Sequence, residues 1–158
     1  MPELWTVGHG TRPIEDFLAL LRAHRIAILA DVRSFPGSRR HPQFNQAALC
    51  AAVEGAGVRY AHLPELGGLR EGGYEAHMRT PTWQAGFARL AALAEEGRTA
   101  ILCAEADPAR CHRRLIARHA AAHGWEVRHI RDAARAERER GGRQATLPGT
   151  GTEGSSGP

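Results

Sequence analysis

The chain contains no lysine: all 21 of its basic residues are arginine. That absence excludes lysine Schiff-base chemistry and the lysine-dependent phosphate loop, both of which need an ammonium group. Cysteine is also scarce. Three cysteines in 158 residues do not make a disulfide framework, so the thiols are expected to be reduced and each must be argued separately. No run approaches the ~20 apolar residues of a membrane span. The start, MPELWTVGHG, lacks the basic and apolar segments of a signal peptide, so a cytoplasmic protein without a membrane partner is expected. Apolar content of 42% and charged content of 24% are ordinary for a globular chain long enough to bury a core. A net charge of +4 favours anionic partners only mildly, so the placement of the arginines matters more than their number.

Apolar runs alternate with amphipathic stretches along the chain. Residues 4–8, 26–32, 58–63, 99–104 and 125–130 read as strands. Residues 13–24, 46–54, 83–96 and 108–123 read as helices, with Thr11 a candidate N-cap for the first. Short apolar strands separated by helices predict an α/β fold: a three-layer sandwich with a mostly parallel sheet of about five strands and helices on both faces. Strand order is not readable from this pattern. Residues 1–131 form the single expected domain, 132–140 a charged helical extension, and 141–158 a low-complexity disordered tail.

In open parallel sheets, ligands bind beyond the carboxyl ends of the strands, and the unusual residues gather there. Gly8-His9-Gly10-Thr11 follows the first strand, Asp31-Val32-Arg33 ends the second, and Cys103-Ala104-Glu105 ends the fourth. The GHGT turn lacks the G-x-G-x-x-G spacing, so no dinucleotide cofactor is expected; its glycines either tighten the turn or admit a ligand to the backbone. Asp31 and Arg33, two apart on a strand, face the same side and serve either a structural ion pair or catalysis. Arg39, Arg40 and His41 form either a solvated loop or a phosphate clamp. Cys50, Trp5, Trp83 and Trp125 read as core, and His24, His119, His123 and His129 as surface or helix-end residues.

The densest segment is ILCAEADPARCHRRLIARHA, residues 101–120. Asp107 fits an N-cap and Pro108 the first helical position, which puts Cys111, His112 and Arg113 in the opening turns. The helix start and its arginines favour a thiolate, while Glu105 and Asp107 oppose it. Cys103 and Cys111 are either a redox couple or one reactive thiol beside a packing one. A zinc site from Cys103, Cys111, His112 and either His9 or His62 would need a cysteine spacing unlike the common short pairs, so no metal is expected. Anion binding by the helix start and the arginines is the leading reading.

The motifs TVGHGT, DVRSFPGSRRHPQFN, HLPELGG and CAEADPARCHRR, in that order, resemble the uncharacterised prokaryotic family catalogued as domain of unknown function 488. The resemblance runs from about Trp5 to Ile130, and members often carry serine where this chain has Gly10. It implies no assigned reaction. A weaker likeness is to rhodanese-type sulfurtransferases, in which Cys103 would carry a persulfide. The acidic Glu105 and Asp107 depart from the anion cradle that such a site needs.

The expected function is therefore to bind or process a phosphorylated or otherwise anionic ligand, such as a nucleotide or nucleic-acid end. Gly8, Thr11, Asp31, Arg33, Arg39 and Arg113 are the candidate binding residues. Glu105, His9 and His112 are candidate acids or bases, and Cys103 or Cys111 the nucleophile of a hydrolase or transferase. The alternatives are a non-catalytic nucleic-acid-binding module, with Phe35 and Phe44 set in the basic loop, and a thiol-dependent sulfur carrier.

Overall fold

The computed structural model describes residues 2–37, 40–68, 73–105 and 111–139. Arg39, Asp107, Pro108, Arg110 and the expected tail at 141–158 lie outside the described residues. Six strands form one sheet: β1 (Glu3–Gly8), β2 (Ile28–Asp31), β3 (Arg59–His62), β4 (Thr99–Cys103), β5 (Glu126–Ile130) and β6 (Ala136–Arg138). The order across the sheet is β3-β2-β4-β1-β5-β6, and every neighbouring pair is parallel except β5 with β6. The helices are α1 (Ile14–Ala23), α2 (Gln46–Gly55), the single turn α3 (Tyr74–His77), α4 (Pro81–Glu96) and α5 (Arg113–Ala122). Among the described residues no helix is long and apolar enough to cross a membrane.

The expected α/β sandwich is present, with helices on both faces. Leu4, Ala30, Ile101 and Val127 face α4 and α5 through Trp83, Leu90, Ile116 and Ala120. Val7, Leu29 and Leu102 face α1 and α2 through Phe17, Leu21, Leu49 and Val53. Covering both faces is what makes these strands read as unbroken apolar runs. Each fully buried Val, Leu, Ile or Phe side chain among these contributes about 1.5–3 kcal/mol. Cys50, expected in the core, is instead a half-buried free thiol on α2.

Three local expectations are corrected. The charged stretch after Ile130, expected to be helical, includes the strand β6, with Ala136 opposite Ile130. Its cause is a turn: Asp132 Oδ1 accepts from the backbone N–H groups of Ala134 and Arg135 at 2.8 and 2.9 Å and sends the chain back along β5. Thr11 does not cap α1, whose N-cap position is Pro13. Cys111 and His112 precede α5 rather than lying inside it. The turn starts from Cys111, whose carbonyl accepts from Arg114 N–H at 3.0 Å.

Topology places the site. The chain leaves β1 through α1 for β2, toward one edge of the sheet, and leaves β4 through α5 for β5, toward the other. β1 and β4 are neighbours, yet α1 packs in one core and α5 in the opposite one. Their outgoing loops therefore diverge, and a crevice opens beyond the carboxyl ends of the two strands.

Candidate functional site

The crevice is a cavity of about 640 Å³. Its walls come from the ends of β1, β2 and β4, the loop after Arg33, Gly68, and the pair Cys111-His112. Gly10 holds φ at 55°, the left-handed region that favours glycine. That turn lets Gly10 N–H reach Ala104 O at 2.9 Å, beside His9 N–H on Cys103 O at 3.1 Å. The end of β1 is thus stitched to the end of β4 across the floor of the cavity.

Asp31 and Arg33 face the same side of their chain segment, as expected, and each is the other's partner. Arg33 Nε and Nη2 donate to the two Asp31 carboxylate oxygens at 2.8 and 2.7 Å, and Arg33 N–H adds a third bond at 3.1 Å. Tyr60 OH on β3 donates to the same carboxylate at 2.5 Å. Burial, then the Asp31 charge, push the Tyr60 phenol up, which keeps it protonated and a donor. The remaining Arg33 Nη1 donates to Phe44 O at 2.7 Å and so pins the loop that ends in the 3₁₀ turn Pro42–Phe44. Asp31 is fully buried and Arg33 is only 7% exposed, so this pair is an internal brace more than a ligand clamp.

The brace also sets His9. Its ring stacks on Phe44 at 4.2 Å with planes 13° apart, and Nδ1 bonds Gly10 O at 2.8 Å. A carbonyl only accepts, so Nδ1 carries the proton and Nε2 the lone pair. Burial pushes the His9 imidazole down to about 4, with the Arg33 charge adding to the effect against the Gly10 bond. An unfolded histidine takes up its proton near pH 6.5 and the folded one near 4, so stability is lost as pH falls through that window. His9→Gln should flatten this loss, read as melting temperature against pH from 7 to 4; parallel curves for wild type and variant would contradict the assignment. His119, lowered by burial and by His123, leaves a residual slope of the same sign.

Cys103 and Cys111, read from the sequence as separate thiols or a redox couple, are brought together. Their sulfurs are in direct contact as a disulfide pair, with Cα atoms 7.2 Å apart. The adjoining imidazole has a defined tautomer. His112 Nε2 lies 2.9 Å from Val32 O and must donate to it, which leaves Nδ1 as the acceptor. Nδ1 sits 3.6 Å from Cys111 Sγ. Arg113 N–H also points at that sulfur, at 3.5 Å, and α5 begins there; both favour negative charge on Cys111. The motif HLPELGG meets CHRR at this point, because a Cβ on Gly68 would lie 2.6 Å from His112 Nδ1.

Arg113 is placed differently from the expected anion holder. Its side chain is fully buried and lines the interior, not the cavity. Nη1 donates to Thr6 Oγ1 at 2.7 Å and Nη2 to Glu105 O at 3.1 Å. Thr6 Oγ1, accepting from Arg113, donates onward to His129 Nδ1 at 2.6 Å, and His129 Nε2 donates to Glu139 Oε1 at 2.6 Å. A buried chain of polar groups thus runs from the loop at Glu105 through α5 and β1 to the segment after β6. His129, expected at the surface, is only 7% exposed because it is a link in that chain.

Of the expected site residues, His9, Thr11, Arg33, Cys103, Glu105, Cys111 and His112 line one cavity. Gly8, Asp31 and Arg113 stand behind it, and Arg39 lies outside the described residues. Gly68 also lines it without having been singled out; of the two aromatics expected to stack on nucleic acid, Phe35 is 78% exposed on the rim, whereas Phe44 is fully buried. Among the described residues no cluster of three or more histidine, cysteine or acidic side chains is arranged to hold a metal ion.

The family described as Domain of unknown function DUF488 matches residues 13–120. The chain belongs to that family. The matched stretch carries Arg33, Gly68 and the Cys103-to-His112 segment, whereas His9 and Thr11 precede it. No curated protein and no solved structure matches the chain. The rhodanese-type likeness gains no support from these comparisons.

Proposed function

We propose that the crevice is a thiol-dependent catalytic site of the transferase or hydrolase class, in which Cys111 attacks a small electrophilic ligand and His112 takes its proton. The observation that carries this reading is the fixed His112 tautomer: Nε2–H is spent on Val32 O, so the basic nitrogen faces Cys111 Sγ. Nucleophile, base and a group that orients the base are the three parts such chemistry needs. The cavity size falls within the ~300–1,000 Å³ of small-molecule sites.

An anionic ligand or nucleic-acid end, expected on the strength of the arginines, has less support. Arg33 is engaged by Asp31, and Arg113 by Thr6 and the Glu105 carbonyl. The thiol–imidazole pair, not an arginine clamp, supports the present reading.

In the fully reduced protein, His112→Ala should slow alkylation of Cys111 by iodoacetamide at pH 7 by about tenfold or more, a smaller factor than the roughly 10²–10⁴-fold typical of general-base catalysis. Peptide-resolved mass spectrometry gives the rate, with Cys50 as the internal reference thiol. Equal rates at Cys111 in the two proteins would remove His112 as the base.

A further inference from the structure

Both cysteines line the cavity, but they differ in exposure and in the groups beside their sulfurs. Cys111 is half-buried, lines the cavity and has His112 Nδ1 and Arg113 N–H beside its sulfur. Cys103 is only 2% exposed, and its sulfur is directed at Glu105 O, 3.5 Å away, an acceptor that favours the protonated thiol. A reagent entering the crevice meets Cys111 first. Cys103 sits behind it in direct sulfur contact, eight residues earlier in the chain.

Resting on the thiol reading above, we infer that Cys103 is a resolving thiol and that the pair is a two-electron dithiol–disulfide centre whose substrate is a low-molecular-weight organic disulfide. The first step is attack of the Cys111 thiolate on one sulfur of RSSR, forming a Cys111–SR mixed disulfide and releasing RS⁻. The Cys103 thiol then gives up its proton and attacks the Cys111 sulfur. That forms the Cys103–Cys111 bond and releases the second RS⁻, which is protonated. The protein dithiol is oxidised by two electrons and one RSSR is reduced to two RSH. The cavity has room for the R group of the mixed disulfide, which a site evolved only to pack two sulfurs would not need.

The pairing also makes the base part of the cycle. While the Cys103–Cys111 bond is closed, Cys111 has no proton to give and His112 Nδ1 has no thiol to serve. Two thiols restore both together: the first attacks the Cys111 sulfur, releases Cys103 as a thiol and leaves Cys111–SR, and the second attacks the R-group sulfur, releases Cys111 as a thiol and departs as RSSR. The site is therefore active as a nucleophile only in its reduced state.

The test uses the full chain, reduced and then exposed to 2-hydroxyethyl disulfide, with intact and peptide mass spectrometry. Wild type should lose two hydrogens, yield one cross-linked peptide joining Cys103 to Cys111, and carry little adduct. Cys103→Ser and Cys103→Ala should each accumulate the hydroxyethyl mixed disulfide on Cys111, about tenfold or more above wild type at equal time, because nothing resolves it. Cys111→Ser should show no fast reaction at Cys103. Equal adduct levels with and without Cys103, or no cross-linked peptide from wild type, would overturn the resolving role. If Cys111 still reacts with iodoacetamide in a His112-dependent way, that failure leaves the nucleophile reading standing. Loss of both would remove the two together.

Discussion

Asp31→Ala should melt about 10 °C or more below wild type, the loss expected when one partner of a buried ion pair is deleted at roughly 3–5 kcal/mol. Asp31 is fully buried and accepts from Arg33 three times and from Tyr60 once. Removing it leaves a guanidinium that is only 7% exposed with no carboxylate beside it, and a phenol with its acceptor gone. The variant also frees Arg33 to leave Phe44 O, so the loop over the crevice loses its tether. Replacing both partners with apolar residues, Asp31→Leu with Arg33→Met, should recover much of the loss, because the penalty comes from the stranded charge rather than the missing attraction. Thermal denaturation followed by circular dichroism reads both. A fall of less than about 2 °C in the single variant would show that the brace adds little.

Gly68→Ala should lower reactivity about as much as loss of His112 itself. The added Cβ would sit 2.6 Å from His112 Nδ1 and 2.9 Å from its Cγ, inside any tolerable contact. Either the loop or the ring must yield. The ring is held on its far side by the Nε2–H bond to Val32 O, so yielding breaks the bond that fixes its tautomer. Alkylation of Cys111 should fall about tenfold to a hundredfold, as when a catalytic base is displaced by an ångström. Gly55→Ala, whose Cβ meets nothing within 4 Å, is the control and should leave the rate unchanged. Wild-type reactivity in Gly68→Ala would mean that the ring is not held where the chemistry requires.

These two sites also mark how far the sequence could be read. The strand ends were legible because an apolar run that stops at Cys103-Ala-Glu105 or Asp31-Val-Arg33 announces both an edge and the polar groups on it. Seven of the expected residues share one cavity for that reason. What the charges do was not legible. Arg33 and Arg113 look like anion holders in a list of basic residues, but the pairing that internalises them depends on strand order and on rotamer. Arg113 reaches Thr6 across 107 positions, and no local pattern announces that contact. The strand β6 was hidden for a different reason. Ala-Glu-Arg has no apolar alternation, and only the turn made by Asp132 brings it alongside β5. The pairing of Cys103 with Cys111 sat between these cases: both lie in the segment that drew attention, but their contact depends on where α5 begins.

The position of β1 bears on what counts as the unit of folding. Residues Glu3–Gly8 precede the stretch matched to the family, yet β1 lies between β4 and β5 and is hydrogen-bonded to both. A chain trimmed to 13–120 would lose the middle of its own sheet, with β4 left as a bare edge and Arg113 without the Thr6 hydroxyl. The stretch that carries the family's signature is therefore shorter than the smallest piece able to stand alone. That piece must begin before Leu4, and it must include Glu139 if the buried polar chain is to close.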